Sequence, residues 1–264
     1  RNYKYSQHHS WRYSNFILMN LYHEIAIGSP RQRGLLVQEE QLIDVILEHG
    51  QSRAVYKSVY LYDEEALDYF KLKRTLKDFL GKRYIKDILI DIDKGQNTDE
   101  HTLNKRGILF ELEELGVHSR SYDIYFSGTG YHIIISGEVF NYTQGDTNLP
   151  FIVRETMNNL FSDIDLSVYN RTAIFRCENT LNQKSGLYKV ILDQSIINTI
   201  TPEEILLWAE APREGNTEPK WGDGELEDKI ITNVPQIRVM DSSVEPDNIV
   251  PCVQTMYKNG PEEG

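Results

Sequence analysis

Apolar residues recur at helical spacing through LLVQEEQLIDVILEH and stop at Gly50, so residues 35–49 are expected to form an amphipathic helix. RAVYKSVYLY (53–62) is rich in Val and Tyr, the composition of a strand. DEEALDYFKLKRTLKDFL (63–80) places acids first and Lys/Arg later, the order a helix dipole favours, and ends at Gly81. YIKDILIDID (84–93) reads as a strand that stays apolar until its C-terminal end. A helix over 101–115, closed by Gly116, is expected next. SYDIYFSG (121–128) and YHIIISG (131–137) then form two strands around a Gly-Thr-Gly turn. After a polar loop and a helix at 149–160, the segments DLSVYN, AIFRC and LYKVIL (187–192) read as short and extended. TPEEILLWAE (201–210) carries a Thr cap, Pro in the first turn and two Glu, a strong helix start.

The ends are less regular. LYHEIAIG, within the first 34 residues, fits a short helix or a strand. Beyond 210, Pro, Gly and charge dominate, as in a linker. The expectation is an α+β domain over 1–210, regular from about 35, with an acidic linker or C-terminal extension at 211–264. The start without Met and the Gly/Glu-rich end suit a fragment of a longer chain.

Charge refines this picture. The 264 residues carry a formal net charge of -12. Residues 203–264 hold 14 acidic and 5 basic side chains, leaving only -3 for the first 202. A basic coat for nucleic acid is excluded, but a local basic groove is not. Two cysteines, Cys177 and Cys252, are too few for a disulfide scaffold or a cysteine-rich zinc module, so no structural zinc is expected. His8, His9 and His23 make a weak alternative metal cluster. No run of 18 apolar residues and no signal-peptide core are present, so a cytoplasmic location and no membrane contact are expected.

Candidate chemistry centres on acids. Asp91 and Asp93 lie two apart on a strand and so share a face, opposite Ile90 and Ile92. Two such carboxylates either face solvent or converge on a hard cation such as Mg²⁺ or Mn²⁺. Asp163 or Asp165 in SDIDLSVYN supplies a third acid for a two-metal site. Positive groups for phosphates are available in His132, beyond the turn Ser127–Gly130, and in Arg171, Arg176, Lys184 and Lys189. Arg176 lies among apolar residues in AIFRC and needs a carboxylate or a phosphate.

Three segments in this order, ILIDID (88–93), SGTGYHIII (127–135) and DIDLSVYNRTAIFR (163–176), resemble the motifs of the archaeo-eukaryotic primase superfamily, particularly its primase-polymerase branch. The resemblance spans about 53–192. It implies an α+β primase catalytic fold, a mixed or antiparallel sheet with an RRM-like core flanked by helices. It implies Asp91, Asp93 and Asp165 as metal-binding catalytic acids, with Asp163 only their neighbour. His132, Arg176 and Lys184 match triphosphate-binding groups, and Arg171 and Lys189 are candidate phosphate or template contacts. Ser127 stands five positions before His132 where the family has two, so Gly130 occupies the close position. Some relatives carry Arg where this chain has Ala173.

The activity implied is DNA-templated nucleotidyl transfer from nucleoside triphosphates, with two Mg²⁺ or Mn²⁺ ions and a single-stranded DNA template. Tyr131 or Tyr169 either stacks on a base or packs in the core. A fused helicase or C-terminal priming module, as in phage and plasmid replication proteins, is a further implied partner. Rival readings are a repair polymerase of the same superfamily, an inactive single-stranded-DNA-binding initiation module, and a nuclease using the same acids.

Overall fold

The computed structural model describes residues 19–92, 98–162, 164–195, 197 and 199–213. The ambiguous N-terminal stretch is a strand, β1 (Tyr22–Ile27), and it returns as β2 (Arg33–Gln38). Gly28, at φ 81°, supplies the left-handed residue that opens this reversal. The helix expected over 35–49 is therefore shorter, α1 (Glu39–His49). The apolar run divides because Leu36 and Val37 pack into different clusters, as strand residues on opposite faces do. Gln41 accepts the Gln38 amide at 3.1 Å, which marks the helix start.

β3 (Val55–Ser58) is shorter than the strand expected over 53–62, although isolated bridges continue it at Leu61–Tyr84 and Tyr22–Tyr62. Asp63 caps α2 (Glu64–Lys73) by accepting the amides of Glu65 and Ala66. This helix ends at left-handed Arg74, well before Gly81. The buried Arg83 explains the difference. Its guanidinium donates to the carbonyls of Phe79, Gly81 and Lys82 and lies 4.8–4.9 Å from the rings of Tyr62 and Phe79. Those non-helical carbonyls satisfy a charge that could not otherwise be buried.

β4 (Asp87–Ile92) leads through α3 (Thr98–Glu114) to the hairpin β5 (Tyr122–Phe126) and β6 (Tyr131–Ser136). α4 (Leu149–Leu160) matches the sequence expectation, with Pro150 in its first turn. β7 (Ile174–Arg176), β8 (Leu181–Asn182), β9 (Leu187–Tyr188), β10 (Val190–Leu192) and α5 (Pro202–Trp208) complete the order. DLSVYN is not extended; Leu166–Tyr169 forms a 3₁₀ turn instead.

The strands make two four-stranded antiparallel sheets, β2-β1-β3-β7 and β10-β5-β6-β4, plus the small β8-β9 hairpin. The architecture is thus α+β, with antiparallel sheets flanked by helices. One face of β4 and β6 is apolar: Ile88, Ile90, Ile133 and Ile135 join a cluster that also holds Leu112 of α3 and Met157 of α4. Each such fully buried side chain contributes about 1.5–3 kcal/mol. Among the described residues, no helix is long and apolar enough to cross a membrane.

Candidate functional site

The β4–β6 register sets Asp91 directly opposite His132, and the β5–β6 register sets Tyr125 on the other side of His132. Asp91 Oδ1 lies 3.5 Å from His132 Nε2, with the aspartate side chain 21% exposed and the histidine 9%. Burial, then the charges of Lys189 and Arg176, holds the imidazole pKa well below its ordinary range. His132 is therefore neutral at pH 7, and its contact with Asp91 is not an ion pair. Its Nδ1 has no hydrogen-bond partner.

Asp165 reaches the same strand from the 3₁₀ turn. Its amide approaches the Asp91 carbonyl at 3.5 Å, and Tyr169, at the end of the turn, donates to the Leu89 carbonyl at 2.6 Å. Tyr60 of the segment after β3 donates in turn to the Tyr169 carbonyl at 3.0 Å. The Asp165 carboxylate accepts both the Ser167 amide and the Ser167 hydroxyl at 2.8 Å. Removing the Tyr169 hydroxyl leaves a buried carbonyl short of a donor. Tyr169→Phe should therefore lower stability by about 1–3 kcal/mol in urea unfolding. An unchanged midpoint and slope would show that the turn does not depend on this bond.

The hairpin turn is tight: the Ser127 amide donates to the Gly130 carbonyl at 2.8 Å, and the Gly130 amide donates to Ser127 Oγ at 3.1 Å. Gly128 adopts φ 90°, and a Cβ there would stand 2.9 Å from Ser185 Oγ and 3.2 Å from Asn182 Nδ2. The β8–β9 turn, with exposed Lys184 near its tip, consequently rests against the turn that precedes His132. The positive φ is what favours glycine at position 128, while the neighbouring Ser185 and Asn182 side chains would have to shift to admit a Cβ.

Arg176 joins the two sheets. It ends β7 in the first sheet, and its guanidinium donates to the Ser127 carbonyl beside the second. The sequence pointed to a carboxylate or a phosphate; the direct partner is a main-chain carbonyl. Burial lowers the guanidinium pKa, while Tyr56 and Asp91 act in the opposite direction. Its Nε has no partner.

Other candidates fall elsewhere. Lys189 is only 1% exposed and donates to the Arg176 carbonyl at 2.9 Å, so its ammonium points inward and not to a surface groove. Arg171 lies beside Tyr62 and Arg83: its carbonyl accepts from Tyr62, and its charge helps depress the Arg83 pKa. Tyr131 and Tyr169 are buried, in keeping with core packing. His23 is buried on β1, with Lys57 and Lys86 adding to the burial that lowers its pKa. Asp93, Asp163, His8, His9 and Cys252 lie outside the described residues.

Asp91, His132, Asp165, Ser127, Gly130 and Arg176 thus come together, with the Lys184 turn at their border. The hard carboxylate oxygens of Asp91 and Asp165 suit a magnesium or manganese ion by donor chemistry. Among the described residues, no group of three or more His, Cys, Asp or Glu side chains is arranged to hold a metal. Sequence spacing offered no sign of the Tyr60–Tyr169–Leu89 chain that places Asp165, because its members are 109 and 80 positions apart. No protein-family model matches the chain, and no curated protein matches it in sequence.

Proposed function

We propose that this chain is a DNA-templated nucleotidyltransferase of the primase-polymerase type, making primers or extending DNA from nucleoside triphosphates. The observation that carries the reading is the juxtaposition of Asp91 and His132 in register, with Asp165 fastened to the same strand. Carboxylates beside a neutral histidine and a buried guanidinium suit a substrate with a metal-bound and a phosphate end. The motif resemblance supports the same assignment, with β10-β5-β6-β4 as the RRM-like core.

Asp91 and Asp165, with Asp93, are the residues that would hold magnesium or manganese. When bound, such ions ease formation of the attacking alkoxide and offset charge on the phosphates. Neutral His132 offers one ring N–H to a phosphate oxygen without the cost of a buried cation. Arg176 adds a positive charge at the sheet junction, and Lys184 reaches the triphosphate from its exposed turn. Ser127 and Gly130 shape the turn and let a phosphate approach the main chain. The template is single-stranded DNA. A helicase or priming module, fused or associated, is the further partner proposed.

A second reading has one observation in its favour. Both Asp165 oxygens already accept hydrogen bonds from Ser167, as they would in a non-catalytic single-stranded-DNA-binding module. Incubation with circular single-stranded DNA, Mg²⁺ or Mn²⁺, and labelled ribo- or deoxynucleotides separates the two. New labelled strands are expected. Binding without incorporation on bare or primed templates would favour the second reading, and loss of template without added nucleotides would indicate a nuclease.

A further inference from the structure

Lys189 carries a buried amine for which the proposed reaction has no direct use. It lies between β9 and β10, yet three bonds tie it to the chain leaving β7. Nζ donates to the Arg176 carbonyl at 2.9 Å, the Lys189 amide donates to the Thr180 carbonyl at 3.2 Å, and its carbonyl accepts the Asn179 amide at 2.7 Å. Nζ sits 4.8 Å from the Tyr125 ring centroid and 5.0 Å from that of Phe175. Tyr125 belongs to the second sheet and is the register partner of His132, whereas Phe175 belongs to the first and precedes Arg176. The lysine therefore fills the seam between the sheets at the level of the candidate site.

A methionine would fill much the same volume. It could not donate to the Arg176 carbonyl, and a buried carbonyl deprived of its donor draws the chain toward another partner. Arg176 reaches Ser127 across the same seam, so movement of its main chain carries the guanidinium away from the turn before His132.

We propose that Lys189 is a positioning residue that fixes Arg176 for the triphosphate and does not itself touch the nucleotide. The proposal rests on the reading of Asp91, His132 and Arg176 as a triphosphate site. Its specific consequence is a selective loss: the β- and γ-phosphates depend on Arg176, whereas base and template do not.

The test measures nucleoside triphosphate and monophosphate binding to wild type, Lys189→Met, Arg176→Met and the double variant. One lost hydrogen bond in the fixing chain should weaken triphosphate binding about tenfold in Lys189→Met. Monophosphate binding should stay within about twofold, a difference well below one hydrogen bond. The double variant should bind no more weakly than Arg176→Met alone, because both changes act through one guanidinium. Additive losses would overturn the proposal by showing that Lys189 acts separately, and so would an unchanged affinity in Lys189→Met.

A ligand-free readout keeps the two claims distinct. The Arg176 Nη–H protons, which donate to the Ser127 carbonyl, should exchange slowly in wild type and much faster in Lys189→Met when followed by side-chain nitrogen NMR. If wild type binds no triphosphate, the functional reading fails; loss of Nη–H protection would still establish the positioning contact, and retained protection would overturn it. Should Lys189→Met fail to fold, Phe175→Leu opens one wall of the lysine's slot and should produce the same faster exchange.

Discussion

Asp91→Ala should abolish templated nucleotide incorporation, with a fall of at least about a thousandfold, while binding to single-stranded DNA changes little. The expected asymmetry follows from the position of the side chain. Asp91 is at the edge of the core, 21% exposed, opposite a nearly buried histidine. Its main chain is held in the β4–β6 ladder whatever the side chain, so alanine should leave the fold in place. What disappears is the charge that would hold a divalent ion against the phosphates. Asp91→Asn is the sharper control because it keeps the shape and removes the charge. Primer extension and fluorescence anisotropy on the same preparations measure the two properties. Activity within tenfold of wild type for both variants would remove Asp91 from the reaction. Equal losses of activity and DNA affinity would make it a template contact or a folding residue.

Much of this site was legible because strand periodicity is short-range physics. The alternation in ILIDID fixes which side of β4 Asp91 occupies, and the glycines around Thr129 give the hairpin that returns His132 beside it. Arg176 was legible as a buried charge in need of a partner, but not the identity of that partner. Whether a guanidinium meets a phosphate, a carboxylate or the Ser127 carbonyl depends on a packing of two sheets that no local pattern encodes. Lys189 shows the same limit from the other side. One of several basic residues downstream of Asp165, it was a candidate phosphate or template contact, yet the rings of Tyr125 and Phe175 enclose it.

The fold divides along the same line. α4 agrees with its first-turn Pro150 and α5 with its Thr201 cap and Pro202, signals that act within a few residues. The split of residues 33–49 into β2 and α1 depended instead on β1 offering a partner edge. The early end of α2 depended on Arg83, nine residues past the cap, collecting the carbonyls that follow the helix. In each case a tertiary partner outweighed a helical pattern whose intrinsic preference is a few tenths of a kcal/mol per residue.

Lys189 also leads to a large effect on stability, with a definite sign. Burial, reinforced by the charge of Arg176, pushes its pKa from 10.5 down to about 7. Between those values the unfolded chain holds a proton that the folded chain has released, so stability rises with pH across this window. At pH 6 the folded protein must instead carry a buried ammonium. At 1.36 kcal/mol per pH unit, wild type should gain about 2–3 kcal/mol relative to Lys189→Met between pH 7 and 9. Other buried groups bound the window. His23, depressed by burial, lowers stability as pH falls below 6.5, because the unfolded chain takes up its proton first. Cys177, raised from 9.0 to about 11, and Tyr62, raised from 10.0 to about 12, oppose the gain at higher pH, where their unfolded forms ionise first. The wild-type optimum should accordingly lie near pH 9, on the alkaline side of neutrality. Urea unfolding of both proteins at pH 6, 7, 8 and 9, at constant ionic strength and with reductant, measures the difference. Two parallel stability curves would mean that Lys189 keeps an ordinary lysine pKa in the folded state, and that its seam admits more water than the packing of Tyr125 and Phe175 allows.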